Sequence, residues 1–290
     1  MRRRDLGIAA VGALAVAVSI PQTATGASTT AARVPRAGAA GSTATVDMEA
    51  LLRAAQIDPQ RADQTPTDGA RAGVLAVEQA LWAEGLLATE YVDGHFGSMT
   101  VTAYADYQRS LGFSGIGANG LPGEASLTSL GEGRFDVTNV VVPGARRSHS
   151  GMPVNTRTRA MLAEAERRLG RALVLDQGSY SPGEDPTSAG THDGGGAVDI
   201  NVDDMDRAVR TATVRVLREL GFAAWLRDPS QDDWPYHIHA VAISDPDLSP
   251  PAQGQVGDYY LGRDGLAGDD PDDGPRVRPI RTWEEYRRTQ

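Results

Sequence analysis

Between residues 74 and 130 apolar side chains recur at helical spacing. Val74, Val77, Leu81 and Leu86 form one stripe, and Tyr104, Tyr107 and Leu111 lie on one face of a second stretch from Met99 to Leu111. A third short helix is predicted after Pro122. Between the first two, Asp93-Gly94-His95-Phe96-Gly97 reads as a turn whose glycines let the backbone reverse while Phe96 points inward. The pattern predicts a small all-α bundle of about 60 residues.

Beyond it, residues 134–154 carry Pro143, Gly144, Gly151 and Pro153 and read as a connection. Asn155 can then cap a helix that runs to Leu169 and stops at Gly170. A strand is expected at residues 172–176 and another at 197–202. A helix capped by Asp203 follows, presenting Met205, Val209, Ala212, Val216, Leu217 and Leu220, and it ends at Gly221. Residues 222–226 and 236–243 read as a strand pair, so this half is an α+β domain with a mainly antiparallel sheet.

The flanks pattern differently. Residues 28–46 are rich in Ala, Thr and Gly, with too few large apolar groups to offset ordering entropy, and a linker is expected over 28–70. Arg2, Arg3 and Arg4 precede an apolar run from Leu6 to Ile20, which reads as an export signal over residues 1–27. That run is shorter than the ~20 residues a permanent span needs. After Pro250 and Pro251 the chain turns acidic at Asp264, Asp269, Asp270, Asp272 and Asp273, and residues 263–290 are expected to be a solvated tail anchored by Trp283 and Tyr286. The expected organisation is thus 1–27, 28–70, 71–132, 136–262 and 263–290.

Composition narrows the chemistry. The 290 residues are 40% apolar and 23% charged, which excludes fibrous or wholly disordered classes. A formal net charge of −10 argues against nucleic acid as the main partner. Every basic residue is Arg, a bias that by itself assigns no recognition role. Because Cys is absent, disulfides, iron–sulfur clusters and thiolate zinc sites are excluded, so a transition-metal site must use carboxylates and the five histidines.

Three of those histidines fall into a pattern. On the last strand His237 and His239 share one face, because side chains alternate along a strand. Asp199 points opposite to Val198 and Ile200, away from the apolar face. His192 lies seven positions before Asp199, across Gly194-Gly195-Gly196, a run that lets the loop fold back so that both meet one ion. Two imidazoles, one carboxylate and an open fourth position form the arrangement of a catalytic zinc. His95 and His149 read as surface and solvated loop residues. The glycine run is not a phosphate loop, since no Lys follows it.

Two resemblances follow from these residues. Val77-Glu78-Gln79-Ala80-Leu81, Asp93-Gly94-His95-Phe96-Gly97, Tyr107-Gln108, Leu111-Gly112-Phe113 and Asn119-Gly120 resemble the peptidoglycan-binding three-helix domain. That resemblance implies a wall-docking module with Asp93, Tyr104 and Gln108 near its groove. Ser188-Ala189-Gly190-Thr191-His192-Asp193-Gly194-Gly195-Gly196-Ala197-Val198-Asp199, followed by Trp234-Pro235-Tyr236-His237-Ile238-His239, resembles the zinc D-alanyl-D-alanine carboxypeptidase family with the hedgehog/DD-peptidase fold. It implies a multidomain, secreted, cell-wall zinc peptidase whose Zn2+ is held by His192, Asp199 and His239, with water as fourth ligand.

Many relatives place a general-base Glu three positions before the last ligand, where this chain has Tyr236. Others carry a His two positions before it, which assigns the proton-transfer role to His237, with Asp233 as substitute. Gln177, Tyr180 and Ser188 are the implied substrate contacts, and Trp225 and Trp234 could line the cleft. The Arg that holds a substrate carboxylate after a Gly-Tyr pair is missing from Gly178-Ser179-Tyr180, so carboxypeptidase and endopeptidase action both stay open. A non-catalytic wall-binding protein is the alternative reading.

Overall fold

In the computed structural model, the described residues are 44–231 and 234–290. The expected export signal, residues 28–43 of the expected linker, and Asp233 lie outside them.

Asp199, His237 and His239 lie on a four-stranded antiparallel sheet, built from β5 (Leu175–Gln177), β6 (Ala197–Asn201), β7 (Phe222–Arg227) and β8 (His237–Ala242) in the order β5-β6-β8-β7. Alternation sorts its side chains onto two cores. Val198, Ile200, Ile238, Ala240 and Phe222 face Met161, Leu162, Val214 and Leu217 of helices α5 (Thr156–Leu169) and α6 (Arg207–Glu219). Ala197, Ala223, Trp225 and Val241 face the other way, onto Leu248 and onto Val256 and Tyr259 of α7 (Pro250–Leu261). Asp199 and His239 lie within β6 and β8 and are paired across the ladder.

The helices read from residues 74–130 are α2 (Arg71–Ala83), α3 (Ser98–Ser110) and α4 (Glu124–Gly131). Buried Glu78 shapes the turn between the first two by accepting from the backbone N–H of Asp93 (3.0 Å) and Gly94 (2.7 Å) and from the Thr100 hydroxyl (3.1 Å). Phe96 is fully buried, as its bracketing glycines implied. One hydrophobic cluster runs from Val74, Leu81, Tyr104 and Leu127 into the Trp225 face of the sheet. Asn119 joins the parts by donating to the carbonyls of Pro246 (2.8 Å) and Leu248 (2.9 Å). The described residues, 44–231 and 234–290, belong to one compact unit of mixed α and β structure.

The linker expectation is corrected over its C-terminal part. β1 (Ala44–Asp47) pairs parallel with β2 (Phe135–Thr138), and α1 (Met48–Ile57) buries Met48, Leu51, Leu52 and Ile57. Asp47 caps α1 by accepting from the Ala50 N–H at 3.1 Å. Alanine-rich composition hides this stripe in a sequence reading, yet small residues are what let α1 approach α7. At Gly257 an added Cβ would stand 2.5 Å from the Gln56 carbonyl oxygen.

The solvated tail is corrected too. Arg218, 1% exposed, donates to Asp272 at 2.8 Å, and Arg157 binds Glu284 at 2.7 and 2.8 Å. α8 (Trp283–Arg288) buries Trp283 and Tyr286, and buried Glu49 of α1 accepts from Thr282 and Arg288. Asp272 and Glu284, which look solvated in the sequence, are thus partners of arginines on α6 and α5.

Smaller differences have local causes. α6 is capped by Asp206, not Asp203, which shifts the buried face to Thr213, Val214 and Leu217 and leaves Ala212 exposed. The connection at 134–154 contains β2 and a hairpin of β3 (Arg146–His149) and β4 (Met152–Asn155). His149 is not a solvated loop residue, because its Nε2 lies 3.1 Å from the Leu173 carbonyl and 3.4 Å from Glu166. Asn155 and Gly170 cap α5 as read, the first accepting from the Thr158 N–H and the second at φ 66°.

Candidate metal centre

His192, Asp199 and His239 come together as a buried group whose potential ligand atoms lie within 4.8 Å of one another, and it can hold a metal ion. Register explains two of the three, since β6 and β8 set Asp199 directly opposite His239. The third arrives on a 3-10 turn, Thr191–Asp193, held by the glycine run. Added Cβ atoms at Gly194 and Gly195 would stand 2.3 Å from the Asp247 carbonyl oxygen and 2.6 Å from the Tyr180 hydroxyl. These glycines therefore serve close backbone approach, which draws the His192 loop against the segment following β8.

Ring nitrogens decide whether such a group can ligate. His192 Nδ1 is 2.9 Å from the Gly178 carbonyl, which can only accept, so Nδ1 carries a proton and Nε2 is the nitrogen left to ligate. That Nε2 is buried without a hydrogen-bond partner, 3.2 Å from Asp199 Oδ2. His239 is set the opposite way round. Its Nε2 donates to Gln255 Oε1 at 2.8 Å, and the Gln255 amide is oriented by its own donation to the Gly265 carbonyl at 3.1 Å. His239 Nδ1 then faces Asp199 Oδ1 at 2.7 Å. Two electron-rich atoms at that distance require a proton or a metal cation between them. Outer partners that fix ring tautomers in this way are the usual support of a metal-binding histidine.

Electrostatics follow from burial and proximity. Burial penalises charge on Asp199, but the two imidazoles outweigh it and hold the carboxyl far below the usual carboxylate range. Burial lowers His239, and the charge of His192 adds to that, whereas at His192 the Asp199 carboxylate overcomes burial and raises the pKa. One carboxylate thus serves two rings that disfavour each other's protonation.

The group lies in a cleft of about 1020 Å³ whose lining includes Gln177, Ser188, Trp234 and His237. His237 Nε2 is 3.9 Å from Asp199 Oδ1, and its Nδ1 bonds the Pro235 carbonyl at 2.9 Å. Trp225 lies beneath the site instead of lining it, stacked on His239 at 6.4 Å and 17°. Gln177 contacts Ser181, and the Ser188 hydroxyl donates to the Asp185 carbonyl.

Other expected site residues are corrected. Tyr180 is outside the cleft lining, with its hydroxyl 2.6 Å from Asp247 and the Arg146 guanidinium 4.0 Å above its ring. It sits at φ 59°, which turns the side chain toward the packed segment after β8. Tyr104 and Gln108 are buried and cannot meet a wall polymer: Tyr104 bonds Ser126, and Gln108 ties the Leu121 carbonyl to the Gly120 N–H. Asp93 is exposed but accepts from the His95 N–H. Tyr236 stands outside the cleft lining beneath the Arg210 guanidinium, 4.6 Å from its ring centroid.

Sequence reasoning missed Gln255 and the segment that fixes it. Three consecutive carbonyls, of Arg263, Asp264 and Gly265, accept from Trp225 (3.2 Å), Arg227 (2.8 Å) and Gln255 (3.1 Å). Gly265 is at φ 69°, and a Cβ there would stand 3.0 Å from the Trp225 ring. The signal for α7 was present, because Ser249 followed by Pro250 is a helix start, with the serine accepting from the Ala252 N–H. Nothing local tells which residue of α7 faces the histidine.

Comparison with protein-family models, with curated proteins and with solved structures yields no match to this chain.

Proposed function

We propose that the chain is a secreted zinc-dependent peptidase of cell-wall peptidoglycan, hydrolysing a D-Ala-containing stem-peptide or cross-link amide bond. The observation that carries the reading is the buried His192–Asp199–His239 group, in which Gly178 and Gln255 each sit at hydrogen-bond distance from one ring nitrogen and the other nitrogen of each ring is turned to Asp199. The residues fit zinc, whose usual ligands are imidazole nitrogen and carboxylate oxygen in just such a three-ligand set. Bound there, zinc would lower the pKa of a coordinated water to about 7 and polarise the scissile carbonyl.

The chain's own part is positioning and proton transfer. His237 Nε2 opens toward Asp199 from the rim of the cleft, within the reach of one intervening water, and serves as proton carrier in place of the glutamate that Tyr236 replaces. Trp234, edge-on to His237 with ring centroids 6.0 Å apart, holds that ring against the cleft wall. Helices α2, α3 and α4 supply the wall-docking part, with Trp82, Tyr91 and Phe113 as exposed aromatic side chains in place of the buried Tyr104 and Gln108.

Zinc content and muropeptide product analysis of the purified chain beside His239→Ala test this reading. About one zinc per chain and a new peptide product, both lost in the variant, support it, and the product distinguishes a released terminal D-Ala from a cut cross-link. Zinc without product from any muropeptide removes the wall substrate, and absence of zinc removes the peptidase.

A further inference from the structure

A second pocket, of about 590 Å³, lies where the last turn of α5, the outer face of α6 and the stretch before α8 meet. It shares no lining residue with the metal cleft. Six arginines line it: Arg167, Arg168, Arg215, Arg276, Arg278 and Arg281. Arg167 is paired with Glu164 and Arg168 with Glu219, but the other four have no carboxylate partner among the described residues. Four uncompensated positive charges therefore converge on one concavity of a chain whose net charge is −10. Like charges held together without neutralisation cost stability, and an anion offsets that cost. The metal cleft has the opposite character, with Asp176, Glu184, Asp185, Asp270 and Asp273 along its lining.

We infer that this pocket binds a polyanion whose charges are phosphodiesters carried on a base-free chain. Guanidinium forks match phosphate oxygens two at a time, and several forks in one concavity suit several successive phosphates better than one. A single-stranded nucleic acid needs aromatic faces on which bases stack. The sole aromatic residue of the lining, Tyr286, is 8% exposed, stacked on Trp283 and bonded to Glu164. Arginine clusters also take acidic peptides, but a carboxylate offers one oxygen pair where each phosphodiester of a continuous backbone offers its charge at regular spacing, and octaglutamate is the arm of the test that separates the two.

The test is fluorescence anisotropy of a labelled glycerol-phosphate octamer titrated with the intact chain. Four phosphate contacts predict roughly a fiftyfold loss of affinity between about 0.05 and 0.2 M salt. Arg276→Gln/Arg278→Gln/Arg281→Gln is expected to weaken binding at least about tenfold and to cut the salt effect to roughly threefold. Arg215→Gln, on a separate element, is expected to weaken binding by about two- to fivefold and keeps the inference testable if the triple variant fails to fold. Failure of the wild-type chain to bind the octamer, or unchanged binding in folded variants, overturns the proposal. So does equal affinity for octaglutamate, or a thymidine octanucleotide bound tenfold tighter.

Discussion

Replacing Gln255 by Leu isolates the feature on which the proposed metal site depends. The leucine keeps most of the volume on α7 but removes the oxygen that accepts from His239 Nε2 at 2.8 Å. The ring then has two choices. It can keep its proton on Nε2, in a site where His239 is 5% exposed, and pay roughly 1–3 kcal/mol for a buried unsatisfied donor. Or it can move the proton to Nδ1, where Asp199 Oδ1 at 2.7 Å accepts it, and lose the lone pair that would face the metal. The metal-free ring takes the second route to escape that cost, so zinc must restore the Nε2 proton against it, and at 1.4 kcal/mol per factor of ten the expected loss is about tenfold to a hundredfold. The assay is competition for zinc against a chromophoric chelator, with thermal melting of the metal-free chain as the fold control. Affinity within threefold of wild type in a folded variant would refute the tautomer argument and, with it, the main support for metal binding.

Three further outcomes are expected. His237→Ala should keep zinc affinity within about threefold but lower peptide hydrolysis by roughly 10²–10⁴, read from the turnover of muropeptide or a D-Ala-terminated peptide; loss of zinc instead would make His237 a ligand. Gly194→Ala should destabilise the chain by more than about 2 kcal/mol and weaken zinc binding together, because its Cβ would meet backbone atoms of Asp247 and Ser249 that no rotamer change can move; denaturant midpoints and the chelator assay check both. Glu78 is pushed up to about 7 by burial, against its hydrogen bonds to the turn, from an ordinary 4.5. The folded chain therefore holds a proton that the unfolded chain releases between about pH 4.5 and 7. The stability this contributes is complete below that window and lost as pH rises through it. Urea midpoints should fall across the window in wild type, and Glu78→Gln should remove that slope, by at most about 3 kcal/mol.

Much of the helical framework was legible because its signals are local. Asn155 and Gly170 bound α5 through one side-chain acceptor and one left-handed φ, and the Val74, Val77 and Leu81 stripe needs only the helical period. Asp206 was displaced from the expected cap by three residues because Asp203 and Asp206 offer the same chemistry, and only packing of Thr213, Val214 and Leu217 chooses between them. α1 was lost in the alanine-rich stretch, since Met48, Leu51 and Leu52 form an apolar face whose value depends on α7, some two hundred residues away.

By itself the sequence determined which groups are available for chemistry: five histidines, no cysteine, a glycine run before Asp199, and strand alternation that puts His237 and His239 on one face. Those follow from composition and from periods of the backbone, which hold without any knowledge of the fold. Only tertiary structure decided that Gln255 and Gly178 orient the rings, that Tyr104, Gln108 and Tyr180 are turned into packing, and that the acidic C-terminal residues neutralise Arg218 and Arg157. Each of these is a contact between distant segments. A hydrogen bond or ion pair of that kind exists only after hydrophobic burial has brought its two ends together, and no local pattern encodes which ends will meet.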